Sequence, residues 1–225
     1  MALESFESLY ARAVEHHGDA LEAQLPKPKS SRALARIRDD RWLSEASKCI
    51  FRSGFVWKVV EAKWPAFEEV FAGFDVTHCA MLSDEDLEHL GGDARVIRNG
   101  AKLRAVQHNA QFIREIREEH GSFAKFVCNW PAMDRVGLLE ILKKRGARLG
   151  GNTGAMFLRF MGVDMFLFSP DVIETLAENG VIDKPPTSAK ALRKVQAAFD
   201  EWHAQSGRSY TELSRIAACA RGPRR

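Results

Sequence analysis

Cysteine is scarce in this 225-residue chain: Cys49, Cys79, Cys128 and Cys219 lie far apart, with no CxxC pair. That excludes a disulfide scaffold and argues against a cysteine-rich zinc site. Reduced thiols, several of them buried, are expected instead. Charge of one sign is lacking too. The 33 Lys and Arg residues nearly balance the 30 Asp and Glu, leaving +3, so the protein does not coat nucleic acid by bulk charge, and any basic face must be local. No apolar run approaches the roughly 18 residues that span a bilayer. The stretch Met1 to Val14, with Glu4, Glu7 and Arg12, has no signal-peptide core. A cytoplasmic protein with no membrane association is expected. Alternating Val, Ile and Thr runs and NG or DG hairpins are scarce as well, so strands are not expected.

What is present reads as helix, turn, helix. Ser83 precedes Asp84, Glu85 and Asp86, an N-cap followed by acids that suit the helix dipole. Leu103, Val106, Ala110, Ile113 and Ile116 give Ala101 to Glu119 one apolar face, with Gly121 as its stop and Ser122 as the next cap. Ser169-Pro170 opens a helix that Gly180 closes, Ser188 to Ala204 forms another that Gly207 breaks, and Ser209 or Thr211 starts the last. The pattern predicts an all-α protein of about nine to eleven helices in a single domain, 1–225. Leu25 to Ser31 is the one linker-like stretch, and the tail 221–225 is expected to fray. Trp42, Trp64, Trp130 and Trp202 are assigned to the core, and Asp39-Asp40 to an N-cap, with an exposed acid pair that takes part in a nearby pocket as the alternative.

One turn carries a chemical signal. Val136 to Arg148 is predicted helical and ends in Lys143, Lys144, Arg145 and Arg148. Gly150-Gly151 follow, and a second helix begins near Asn152, Thr153 and Gly154. Paired glycines permit a tight hairpin and close approach by another backbone. The next helix then offers unpaired N–H groups that suit a phosphate. An ordinary helical corner with a solvated basic face is the alternative.

That order of helix, Leu149-Gly150-Gly151 hairpin, Thr153-bearing helix and Gly162-Val163-Asp164 resembles the helix-hairpin-helix core of the DNA glycosylases. Three blocks carry a closer resemblance to the DNA-3-methyladenine glycosylase I (Tag) family. The first is Cys49-Ile50-Phe51-Arg52-Ser53-Gly54-Phe55-Val56-Trp57 with Phe71-Ala72-Gly73-Phe74-Asp75. The second is Leu82 to Asn109, including Asp93 to Asn99, Lys102-Leu103 and Asn109-Ala110. The third is Leu142-Lys143-Lys144-Arg145-Gly146 through Gly154 to Gly162. The resemblance implies the helix-hairpin-helix glycosylase fold over a core of 45–165, with a helical extension over 166–220. It implies a monofunctional glycosylase that flips out alkylated adenine, N3-methyladenine, and hydrolyses its N-glycosidic bond in base-excision repair. Monofunctional follows because Asn152 and Thr153 stand where bifunctional relatives carry a Schiff-base lysine. Double-stranded DNA bearing alkylated bases is the implied partner, with no obligatory protein partner and no cofactor.

The same resemblance distributes roles. Trp57 is the base-stacking candidate, with Cys49, Phe51 and Phe55 around it; plain core packing is the alternative for Trp57. Asp164 is the candidate catalytic carboxylate, able to stabilise an oxocarbenium-like transition state, or else a helix cap for the segment after it. Arg148, Gly150, Gly151, Asn152, Thr153, Gly154, Lys143, Lys144, Arg98 and Lys102 are the candidate DNA contacts. Three departures from the family stand out. No cysteine–histidine zinc clamp is expected, so no metal site is assigned. Cys49 stands where the family has a pocket glutamate. The helical extension is expected to take over the clamp's role by apolar burial. The missing glutamate favours a second reading, a catalytically silent module that binds damaged DNA.

Overall fold

The computed structural model describes residues 3–18 and 20–222, so positions 223–225 of the tail expected to fray lie outside the described residues. Among the described residues the elements are, in order, α1 (Phe6–His17), α2 (Ala20–Gln24), α3 (Ser31–Leu34), α4 (Asp39–Arg52), α5 (Trp57–Val70), a 3-10 turn (Ala72–Phe74), α6 (Val76–Ala80), α7 (Asp84–Gly92), α8 (Gly100–His120), α9 (Phe123–Asn129), α10 (Arg135–Arg145), α11 (Asn152–Met161), α12 (Pro170–Glu178), α13 (Ala189–Ser206) and α14 (Tyr210–Cys219). There is no strand among them, as the patterning predicts. The helix number exceeds the expectation because α2, α3 and α6 are only 5, 4 and 5 residues long. Segments that short carry too few periodic positions to register as helices. No helix of the described residues is long and apolar enough to cross a membrane.

Local chemistry sets most helix ends. Ser83 and Asp86 form a reciprocal capping box at α7, and Ser209 with Glu212 forms another at α14. Ser122, Ser169 and Ser188 each accept the backbone N–H three residues on. Gly121 and Gly207 end α8 and α13 in the left-handed region. Asp39 and Asp40 occupy the first turn of α4 rather than its N-cap, which is Arg38. The Asp39 carboxylate instead accepts the Phe123 N–H at the start of α9, at 2.9 Å.

The chain gathers into two compact units. The first comprises the described residues of Met1–Lys29, Ala132–Gly137 and Gly162–Arg225. There α14 is the hub, with α1, α12 and α13 packed on it. The Trp202 indole donates to the Glu4 carbonyl at 3.0 Å, and Phe166 stacks on Phe199 at 4.9 Å. Residues 163–168 lie outside any helix, and α14 side chains take two of their backbone donors: Met165 N–H reaches Thr211 Oγ1 (3.3 Å) and Leu167 N–H reaches Ser214 Oγ (2.9 Å). Gly162 precedes that stretch at φ +96°, with the Lys29 stem 2.6 Å from where a Cβ would stand, so only glycine fits. Arg221, in the tail expected to fray, pairs with Glu174 at 3.1 Å.

The second unit comprises Ser30–Pro131 and Leu138–Met161. The 21-residue α8 is its axis, with α4, α6, α7 and α9 against it, and α4 also carries α5 and α11. Trp42 is fully buried between Phe123 and Phe157, with ring centroids 5.3 and 5.8 Å away. Each such side chain contributes about 2–3 kcal/mol by burial. Trp64 and Trp202 are core as expected, whereas Trp130 is only half-buried, at the C-cap of α9.

Candidate functional site

Within the second unit, α4 ends at Arg52, the chain turns through Ser53 to Val56, and α5 begins at Trp57. Gly54 makes the turn at φ +70°. A cavity of about 200 Å³ opens here, lined by Cys49, Arg52, Ser53, Gly54 and Trp57 on one side and Asn152, Thr153 and Met156 on the other. The second set is the first turn and a half of α11, so the cavity lies directly behind the Gly150-Gly151 hairpin. Trp57 is 46% exposed and presents its ring edge-on to Phe160, with centroids 6.1 Å apart. Phe55, Val56, Val59 and Phe160 are also exposed, so the rim is apolar on a scale unusual for a solvated turn.

Cys49 is buried. Its thiol donates to Glu45 Oε1 at 3.6 Å, and burial pushes its pKa up, so it is a neutral wall of the cavity and not a nucleophile. Phe51 is a correction. It was assigned to the pocket, but it is fully buried and packs edge-on to Phe67 at 4.6 Å, because it faces the α5 side of α4. Lys102 is a second correction. It was assigned to phosphate, but it is 6% exposed, and its Nζ donates to the carbonyls of Phe51 (3.2 Å) and Ser53 (2.6 Å). It caps the C-terminus of α4 and fixes the turn that carries Trp57. Burial and the charge of Arg148 hold its pKa below the usual lysine value.

The hairpin is built by close contacts. Gly154 is buried, and a Cβ there would stand 2.3 Å from the Leu149 carbonyl oxygen, so α11 can dock on that carbonyl only with glycine. Arg148 adopts φ +59°, uncommon for a long side chain. Asn109, fully buried on α8, clamps the hairpin's entry: its Oδ1 accepts the Ala147 N–H at 2.8 Å and its Nδ2 donates to the Ala147 carbonyl at 3.1 Å. Lys143, Lys144, Arg148, Asn152 and Arg98 are exposed, while Gly150, Gly151 and Thr153 are half-buried. Arg145 is committed elsewhere, to Glu119 and Glu115 at 2.7 and 3.2 Å. The same holds for Arg95, which pairs with Asp93 and Glu69. From sequence, Asn109 stands only among the residues that carry the resemblance, with no role given to it, and Glu45 is not singled out. The only signal for Glu45 is its position one turn before Cys49.

Asp164 belongs to the first unit. Its Oδ1 accepts the Thr211 N–H at 2.8 Å, so it caps α14 rather than the segment that follows it. Arg135 lies near it, buried, over the Tyr210 ring at 5.6 Å. Burial lowers the Arg135 pKa, while Asp164, Tyr210 and Asp200 oppose that. Among the described residues no group of three or more His, Cys, Asp or Glu could hold a metal.

Comparison with known proteins places this geometry. Residues 49–144 match the methyladenine glycosylase family model. DNA-3-methyladenine glycosylase 1 of Escherichia coli (strain K12) is 27% identical over 120 residues, covering 45% of this chain and 64% of that protein, so less than two thirds of its length is spanned. A 3-methyladenine DNA glycosylase I from Staphylococcus aureus, solved for the structural basis of 3-methyladenine recognition, superposes with a TM-score of 0.50 at 23% identity, over 56% of this chain and 77% of that one. The 8-oxoguanine DNA glycosylase of Thermotoga maritima superposes with a TM-score of 0.55 at 19% identity, over 94% and 95%. These two likenesses establish the fold, that of the helical DNA glycosylases.

Proposed function

We propose, from the match of residues 49–144 to the methyladenine glycosylase family model, that the protein is a monofunctional DNA glycosylase that excises N3-methyladenine from duplex DNA. The observation that carries the reading is the cavity beside the hairpin. It has an aromatic face at Trp57, an apolar wall at Cys49, and α11's first turn as its opposite side. A flipped base needs such a slot between apolar and aromatic groups. The exposed apolar turn at Phe55 and Val56 suits insertion into an unstacked duplex. Lys143, Lys144, Arg148 and the N-terminus of α11 suit the phosphate backbone.

N3-methyladenine carries a positive charge, so its glycosidic bond is weak and the electron-rich indole attracts it. In the reaction the C1′–N9 bond breaks and the base leaves with the bonding pair, which cancels its charge. Water then forms the new C1′–O bond and gives up a proton. Asp164 is proposed as the carboxylate that stabilises the cationic sugar. Asn152 and Thr153 at the hairpin end offer no amine for a Schiff base.

The test is release of free N3-methyladenine from alkylated duplex DNA. Wild-type protein releases it. Asp164→Asn, whose amide oxygen still accepts the Thr211 N–H, keeps the fold and DNA affinity but loses release. Full activity in that variant removes Asp164 from the chemistry. Tight binding by the wild type without release replaces the enzyme with the silent damage-binding module, the reading that the absent pocket glutamate favours.

A further inference from the structure

The base pocket already contains a cation. Arg52 lines the cavity, with its side chain 12% exposed. Its guanidinium carbon lies 5.2 Å from the Trp57 ring centroid and 5.0 Å from that of Phe160. Nη1 donates to Glu45 Oε1 at 3.1 Å, Nε donates to Glu61 Oε1 at 3.0 Å, and Nη2 also donates to Glu61. Glu61 is anchored separately by Lys48, at 2.6 Å. Burial raises the Glu45 pKa, with the charges of Arg52 and Lys48 opposing it.

A planar, delocalised cation held against two aromatic rings and a half-buried carboxylate is the same chemistry that an N-alkylated purine presents. We infer that Arg52 is a resident competitor for the base site, and that the pocket admits a planar cationic base in exchange for the guanidinium while rejecting a neutral one. This deepens the reading that the cavity takes a base. The selectivity follows from the counter-charge. A cationic base that displaces Arg52 leaves Glu45 facing a cation, whereas a neutral base leaves this half-buried carboxylate with only the Cys49 thiol and the charge of Lys48, and losing the partner of a half-buried ion pair is unfavourable. Arg52 has somewhere to go, because Glu61 is 45% exposed and can keep hold of the guanidinium as it swings toward solvent. Unmodified adenine, which is neutral, is thereby excluded by charge rather than by shape, at a site where the family's own glutamate is replaced by Cys49.

The experiment measures binding of two small probes to the full chain by calorimetry: 3,9-dimethyladeninium, a fixed planar cation, and 9-methyladenine, its neutral analogue. Wild-type protein is expected to prefer the cation by about tenfold. Arg52→Gln removes the competitor for both probes, so the affinity for each rises about tenfold while the preference for the cation, which Glu45 sets, remains. Arg52→Lys, which keeps charge without the planar overlap, falls between the two. Glu45→Gln abolishes the preference. Weaker or unchanged cation binding in a folded Arg52→Gln, checked by circular dichroism, overturns the inference, as does binding of neither probe by any variant. Base release from DNA is read separately. Cation preference without release sinks the enzymatic reading alone, and release with a cation affinity that does not depend on Arg52 sinks this inference alone.

Discussion

Replacing Asn109 by alanine tests whether the hairpin is positioned from α8. The side chain makes two hydrogen bonds with one residue, accepting from Ala147 N–H and donating to its carbonyl. A net intramolecular hydrogen bond contributes about 1 kcal/mol, so the pair contributes about 2 kcal/mol. Ala147 is half-buried, and water can re-solvate its peptide in part, which limits the additional penalty for unpaired groups. For a chain of this length, about 2 kcal/mol lowers the melting temperature by about 4–8 °C. The local effect is sharper than the global one. The Ala147 amide should exchange with solvent faster, and affinity for duplex DNA should fall because the hairpin no longer has one geometry. Asn109→Asp separates the two bonds. It keeps the acceptor but aims a second oxygen at the Ala147 carbonyl, and should be at least as destabilising as alanine. Hydrogen exchange together with thermal unfolding checks both variants. A melting point within about 1 °C of wild type and unchanged exchange at Ala147 would refute the claim that Asn109 holds the hairpin.

Gly154→Ala places a methyl group 2.3 Å from the Leu149 carbonyl and should destabilise by about 1–3 kcal/mol in urea unfolding, since the obstacle is backbone. Removing Lys143, Lys144 and Arg148 together should weaken DNA binding equally across sequences and flatten the slope of log K against log salt by about 2–3; an unchanged slope moves the phosphate contacts elsewhere. Burial raises the pKa of Asp39, with the Phe123 N–H and Arg117 opposing it. The folded state therefore binds its proton to a higher pH than the unfolded state does, and stability from this group falls as pH rises from the ordinary carboxylate value through the folded one. Asp39→Asn, which still accepts the Phe123 N–H, should gain stability relative to wild type at pH 7 compared with pH 4, measured by urea midpoints.

How much of this was legible depends on the range of the interaction. Caps such as Ser83, Ser122 and Ser209 act within three residues, so their spacing in sequence is the interaction itself. A continuous helix would put Cys49 and Trp57 on one face, but α4 ends at Arg52 and α5 begins at Trp57, so the turn 53–56 is what brings both to the cavity. The glycines of the hairpin were readable because their conformational need is local, although the Leu149 carbonyl that makes Gly154 obligatory is a packing fact. Phe51 and Lys102 were misplaced for a different reason. Residue type says that a phenylalanine can stack and a lysine can bind phosphate, but only the direction of the side chain decides whether either reaches the cavity. In both cases the direction is inward, toward Phe67 and toward the carbonyls at the end of α4.

Composition and periodicity by themselves determined an all-helical chain, its principal helix ends, a glycine hairpin flanked by bases, and a tryptophan after Cys49. Tertiary structure alone decided the rest. It gathered segments from both ends of the chain and residues 132–137 into one compact unit, used Asp164 to cap a helix 46 residues later, and brought the first turn of α11 against Arg52 and Trp57. The physical reason is that hydrogen-bonded turns and apolar stripes are settled by neighbours along the chain. The charge of a pocket, by contrast, is settled by which side chains share a desolvated space, and here that space holds Arg52 between two aromatic rings and Glu45.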